Sequence, residues 1–248
     1  MVALNTRQSG PVSGPAIVLL HGFIGAAEDW EPVIRELPGR RVLAIDLPGH
    51  GASLGLPPKA YTLEGTARLV ENAIPGDGSC LICGYSMGGR VALHLPNAPS
   101  RSFCLVGSHP GIRDPEARAE RLAKDRALAN RIETDFPAVL AAWLRMPLFE
   151  SLNDDSRREI EQRRLERSRP EEIARALRGL STGHQSSHWE RRMDPTVTWL
   201  AGEADQRYLD IYQNEPGPIV MVPGAGHNVP AEQPKLLAGI LDGRMETR

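Results

Sequence analysis

Three cysteines in 248 residues are too few to staple the chain and leave one unpaired. Cys80 and Cys83 have C-x-x-C spacing, but no second pair follows at zinc-site spacing, and Cys104 stands in a separate apolar run. All three read as small hydrophobes on buried strands, which excludes a disulfide framework or a redox pair as the organising feature. Also missing is any apolar run near the ~18 residues that a membrane-crossing helix requires. Charge of either sign is not in surplus: 29 Lys and Arg against 31 Asp and Glu leave a net charge of -2. That balance argues against a general nucleic-acid or anionic-membrane binder while allowing a local basic pocket. The opening MVALNTRQSGPVSG has neither the basic start nor the apolar core of a secretory signal, so a cytoplasmic location is expected. No G-x-G-x-x-G follows a strand and no His/Cys/Asp cluster has ligand spacing, so no metal, nucleotide or flavin cofactor is expected. No internal repeat or low-complexity tract interrupts the chain, and oligomeric state is not legible.

What is present is the texture of one large globular unit, with 41% hydrophobic and 24% charged residues. A chain of this length buries roughly 70–75% of the surface its unfolded form exposes, so its core needs no metal or disulfide support. Short apolar runs ending in turn residues occur at 16–20, 41–45, 80–83, 102–106, 196–200 and 218–222. Their near-continuous apolar character suits parallel strands covered on both faces. Helical patterns at 30–37, 63–74, 88–95 and 233–241 alternate with them, and Thr62 is placed to cap the second. The expectation is an α/β architecture with a doubly wound, mostly parallel sheet.

Between 110 and 192 the texture changes to Arg, Glu, Asp, Ala and Leu at helical spacing, divided by Pro137, Pro147 and Pro170. Residues 1–109 and 193–248 therefore read as the core, and 110–192 as an inserted helical lid. The lid would lie over the sheet's C-terminal edge, where open α/β sheets bind their ligands.

The strongest local signal is Gly84-Tyr85-Ser86-Met87-Gly88, a G-x-S-x-G between an apolar strand and a helical pattern. That context is the nucleophile elbow of the α/β-hydrolase fold, in which a sharp strand-to-helix turn projects the serine hydroxyl. The flanking glycines allow the two backbones to pass closely. A serine hydroxyl needs an imidazole to take its proton. The fold supplies its partners in the chain order serine, acid, histidine. His227, in a glycine-rich loop after the last apolar run, meets that order, whereas His109, His184 and His188 lie at or inside the insertion. Asp205, just past the strand at 196–200, is the favoured acid, with Glu203 in the turn and Asp210 in a probable helix as rivals. The backbone N–H groups of Met87 and of Phe23, the latter in His21-Gly22-Phe23-Ile24-Gly25, are the candidate oxyanion hole. His21 precedes the serine and reads as turn support, and the cluster from Asp46 to Ser53 as loop shaping beside the pocket.

These residues sit within a wider resemblance. HGFIG at His21, Trp30, DLPGHG at Asp46, GYSMGGR at Gly84 and SHPG at Ser108 are shared with one family. So are RAERLAKDR from Arg118, W-x-x-x-P at Trp143, SLNDDSRRE from Ser151 and GAGHN at Gly224. The chain resembles, over nearly its whole length, the 2-succinyl-6-hydroxy-2,4-cyclohexadiene-1-carboxylate synthases, α/β-hydrolase-fold lyases of menaquinone biosynthesis. The resemblance implies elimination of pyruvate from 2-succinyl-5-enolpyruvyl-6-hydroxy-3-cyclohexene-1-carboxylate, with Ser86 as base. It also implies that Arg90, Arg121 and Arg164 bind the carboxylates of this small polycarboxylate substrate, and that Tyr85 and Trp143 form the pocket wall. Arg90 is close to the serine by construction, since it follows the elbow. The other lid arginines have the alternative of ordinary solvated charge paired along a helix. The run after Asp205, Gln206-Arg207-Tyr208-Leu209, departs from the basic, aromatic run that the family leads one to expect.

Two other readings compete. A serine esterase or thioesterase acting on an anionic acyl substrate would use the same three residues to form an acyl-enzyme. A non-catalytic ligand receptor of the same fold would have no need of serine, acid and histidine in order.

Overall fold

The computed structural model describes residues 2–76 and 79–246. The outer ends of the expected core segments, residues 1 and 247–248, lie outside the described residues. Seven strands form one sheet: β1 (Thr6–Ser9), β2 (Ala16–Leu20), β3 (Arg41–Ile45), β4 (Cys80–Tyr85), β5 (Arg101–Val106), β6 (Val197–Gly202) and β7 (Val220–Val222). Their order across the sheet is β1-β3-β2-β4-β5-β6-β7. Every pairing is parallel except that of β1 with β3.

The six expected strands are present, with ends moved by at most two residues. The first strand escaped the reading because TRQS is short, polar and mostly exposed at a sheet edge, with no apolar periodicity to announce it. The expected helix at 30–37 is a 3-10 turn, Ala27–Trp30, running into a short helix, α1 (Glu31–Arg35).

Helices cover both faces, and alternation along the strands explains why the runs are apolar throughout. Ile17 and Leu19 face α1 and the last helix, α10 (Pro234–Glu246), through Trp30, Val33 and Leu237. Val18 and Leu20 face α2 (Leu63–Ala73) and α3 (Met87–Ala92) through Leu63, Val70 and Val91. Thr62 caps α2, its hydroxyl accepting from Gly65 N–H at 3.0 Å. All three cysteines are buried within β4 and β5, outside any disulfide.

Four helices lie between β5 and β6 in the chain: α4 (Pro115–Thr134), α5 (Phe136–Leu144), α6 (Asp154–Arg167) and α7 (Pro170–Gly179). Three of them begin at side-chain caps: Asp114 accepts from Ala117, Asp135 from Ala138 and Asn153 from Ser156. These helices share an apolar cluster distinct from the two sheet faces, built on Ile132, Phe136, Leu140, Ile160, Ile173 and Leu177. One core residue joins that cluster, Ile24 from the loop after β2. Two further helices, α8 (Gln206–Gln213) and α9 (Val229–Glu232), follow β6 and β7.

Candidate active site

The site begins at a strained backbone. Ser86, between β4 and α3, has φ 52° and ψ −108°, a left-handed conformation that a non-glycine residue adopts at a cost of about 1–3 kcal/mol. The surrounding glycines permit it. A β-carbon on Gly84 would lie 2.4 Å from Gly89 Cα, and one on Gly88 would lie 2.2 Å from Leu20 O. The backbone of Ser86 is fixed from the far side, its N–H donating to Val106 O at 2.8 Å.

His227, in the loop between β7 and α9, points its Nδ1 at Asp205 Oδ2 over 2.7 Å, and both residues are buried. Of the three acids in contention, Asp205 is the one that meets the imidazole. Glu203 accepts from Gly224 N–H at 3.1 Å, and Asp210 lies on α8, accepting from Gln206. The Asp205 carboxylate also caps α8 through Tyr208 N–H. Tyr208 stacks on the His227 ring at 5.0 Å, while Tyr85 and Phe149 pack against it at 5.2 and 5.9 Å. Ser86 and His227 line the same cleft. Among the described residues no hydrogen bond joins the Ser86 hydroxyl to His227, and such contacts commonly tighten when substrate binds.

Phe23 and Met87 also line the cleft. Met87 opens α3, where the first N–H groups lack an intrahelical acceptor. The loop carrying Phe23 is clamped by two buried imidazoles. Leu47 N–H donates to His21 Nε2 at 2.9 Å, and Ile24 N–H donates to His50 Nε2 at 3.2 Å. The Nδ1–H groups donate to Gly22 O and Pro48 O, an assignment dictated by those carbonyl partners. Burial pushes both imidazoles below the ordinary value of 6.5, His50 furthest, so both stay neutral and able to accept. Asp46 completes the scaffold, accepting from Ala27 and Ala52 N–H at 2.7 and 2.9 Å. His21 and Asp46 thus support the loop, as turn-support and loop-shaping residues do.

The cleft encloses about 80 Å³ of water-accessible space. Among the described residues four arginines line it, Arg90, Arg121, Arg164 and Arg207, and no aspartate or glutamate does. Arg90 is buried against the Leu180 carbonyl, and burial with the Arg121 charge nearby lowers its pKa to about 10. Arg121 is held through Nε by Asp125 at 2.8 Å, and Asp125 accepts Ser181 Oγ at 2.6 Å. Arg164 is 7% exposed, and its Nε and Nη1 have no hydrogen-bond partner. Tyr85 and Trp143 line the same space, with Trp143 edge-on to Phe23 at 5.4 Å.

Sequence reasoning passed over Arg207, Tyr208 and His109. Arg207 and Tyr208 put a basic and an aromatic side chain at the cleft after all, from the first turn of α8. His109 follows β5 at the sheet's C-terminal edge, the signal by which it could have been found. Its Nδ1 accepts from Gly111 N–H at 2.9 Å, which leaves Nε2–H as a donor toward the cleft. Burial, with Arg90, Arg121 and Arg207 around it, lowers its pKa to about 4.

This geometry has known relatives. The model of the alpha/beta hydrolase family matches residues 17–240. The 2-succinyl-6-hydroxy-2,4-cyclohexadiene-1-carboxylate synthase of Escherichia coli O1:K1 is 32% identical over 92% of this chain and 91% of its own. A Bacillus subtilis (strain 168) protein given the same name provisionally is 35% identical over 94% of this chain and 90% of its own. The chain belongs to this synthase family within the α/β hydrolases. Among solved structures, MenH from S. aureus superposes with a TM-score of 0.85 at 26% identity, covering 100% of this chain and 99% of that one. A thermophilic esterase from Thermogutta terrifontis shares the fold, with a TM-score of 0.76 at 23% identity over 98% of this chain and 93% of that one.

Proposed function

We propose that this member of the synthase family eliminates pyruvate from 2-succinyl-5-enolpyruvyl-6-hydroxy-3-cyclohexene-1-carboxylate, giving 2-succinyl-6-hydroxy-2,4-cyclohexadiene-1-carboxylate for menaquinone biosynthesis. The observation that carries the reading is the wall of the cleft at Ser86, which among the described residues has four arginines and no carboxylate. A substrate with three carboxylates needs such a surface, and arginine offers paired donors that keep their charge. A neutral ester has little use for it.

The reaction is a lyase step that consumes no water. His227, oriented by Asp205, takes the Ser86 proton, and Ser86 removes the ring proton α to the succinyl ketone. Charge moves onto the ketone oxygen, where the N–H groups of Phe23 and Met87 stabilise the enolate; one such donor contributes about 3–4 kcal/mol. The electron pair then forms the new ring double bond, the existing one shifts, and the C–O bond to the enolpyruvyl group breaks. The departing enolate takes up a proton on carbon to become pyruvate. Arg90, Arg121 and Arg164 bind carboxylates, and Tyr85 and Trp143 shape the pocket. Residues 110–192 act as the lid over the core of 1–109 and 193–248. A polycarboxylate does not cross membranes unaided, which supports a cytoplasmic site of action.

The test is to follow pyruvate release and diene absorbance with purified protein and Ser86→Ala. Rapid release that Ser86→Ala loses supports the lyase with its serine base. A folded wild type without release above background, but with hydrolysis of anionic thioesters, would replace this reading by the esterase alternative.

A further inference from the structure

The active-site cleft has a neighbour. A second, smaller cavity with about 60 Å³ of water-accessible space lies beside it, and the two share Tyr85 and Arg164 as lining. On its far side this second cavity shares Pro32, Ile160, Arg163 and Ala231 with a groove between α6 and α9. The three spaces thus adjoin one another through shared lining residues, from the cleft at Ser86 to the groove beside α9.

Among the described residues, two buried side chains with three unpartnered donor atoms lie along the second cavity. Arg164 is 7% exposed and lacks partners at Nε and Nη1, and Trp30, 1% exposed, lacks one at its indole Nε1. A buried donor without an acceptor is destabilising, and a small anion would relieve it. Among the described residues one acid lines this cavity, Asp29, whose charge also acts on Arg164, and it is already hydrogen-bonded, as is Glu232 at the groove. Asp29 is bonded by Arg167 and by Ala26 N–H, and Glu232 accepts from the N–H groups of Gly226 and Asn228. Arg163, exposed at the outer end, follows Arg164 with a second cation.

We propose that this second cavity is a small-carboxylate site and the route by which the pyruvate product leaves, an inference that rests on the lyase reading above. The elimination divides one tricarboxylate into a large dicarboxylate diene and a three-carbon keto acid. The diene remains against Arg90 and Arg121, between pyruvate and the main mouth. Arg164 borders both spaces, so its guanidinium follows the departing carboxylate from one into the other, with the Tyr85 ring as the partition beside it. No bond is made or broken along the route.

The test separates chemistry from release. Ala231 is exposed, shared by the cavity and the groove, and remote from Ser86 in role, so Ala231→Trp obstructs the outer end alone. Diene formation in a single turnover should match wild type, while steady-state turnover should fall about fivefold or more and inhibition by added pyruvate should weaken. Unchanged steady-state turnover in the folded variant overturns the proposal, as does a parallel fall in both rates. Arg163→Glu gives an independent reading if Ala231→Trp folds poorly: pyruvate inhibition weakens severalfold, and an unaltered inhibition constant counts against the route. A wild type that forms no diene in a single turnover defeats the underlying reaction, and is seen before any variant is compared.

Discussion

Gly107 lies directly against the His227 imidazole: a β-carbon there would stand 2.7 Å from His227 Cε1 and 3.5 Å from Asp205 Oδ2. Its φ of +53° adds a second reason for glycine, since left-handed backbone costs other residues about 1–2 kcal/mol. Gly107→Ala should therefore displace the imidazole and lower kcat by about 10²-fold, because small misplacements of a reacting group have effects of that size. Steady-state kinetics alongside thermal unfolding separates this from a simple loss of fold, for which the stability change would be the larger effect.

Asp205 holds two posts, as partner of His227 and as the cap of α8. Asparagine caps helices about as well as aspartate but cannot accept the Nδ1 proton in the same way. Asp205→Asn should leave Tm within a few degrees of wild type while pyruvate release falls on the order of 10³–10⁴-fold. Equal losses in both would assign the carboxylate a structural role only.

Asp125 is the buried counter-charge beneath the Arg90 and Arg121 pair. In Asp125→Asn the amide oxygen can still accept from Arg121 Nε and Ser181 Oγ, but the buried counter-charge is gone, which weakens a charged hydrogen bond ordinarily worth roughly 1.5–3 kcal/mol. KM for the tricarboxylate should rise about tenfold or more while kcat changes less, a split that initial-rate kinetics reads directly.

The neutral imidazoles of His21 and His50 make a prediction about acid. Both have folded values pushed below the ordinary 6.5 by burial, so the unfolded chain binds more protons as pH falls through that value. Stability should hold above pH 6.5 and decline steadily below it, because protonation removes the acceptors of Leu47 and Ile24 N–H. Thermal unfolding from pH 8 to pH 5 should show this slope, and His50→Gln, which has no titrating ring, should make it shallower, with His21 and His109 supplying part of the remainder.

Much of the core was legible because a strand covered on both faces has to be apolar at every position, as 16–20 and 80–83 are. The edge strand Thr6–Ser9 carries no such demand and left no trace. The elbow could be read from five residues, since each glycine answers a close backbone contact. Position past the strand end favoured Asp205 over Glu203 and Asp210, but the contact itself depends on where the separate loop carrying His227 passes. His109 and Arg207 were hidden for a related reason: their importance comes from convergence on one cleft, to which local spacing is blind. The resemblance supplied Arg90, Arg121 and Arg164, and the structure brings all three to that cleft.

Ile24 has one further consequence. Its N–H is tied to His50, its backbone sits at φ 60°, and its side chain belongs to the apolar cluster of the inserted helices. Those helices therefore pack on the residue next to Phe23, which lines the Ser86 cleft, so a substitution that loosens the inserted cluster reaches the cleft wall without touching Ser86.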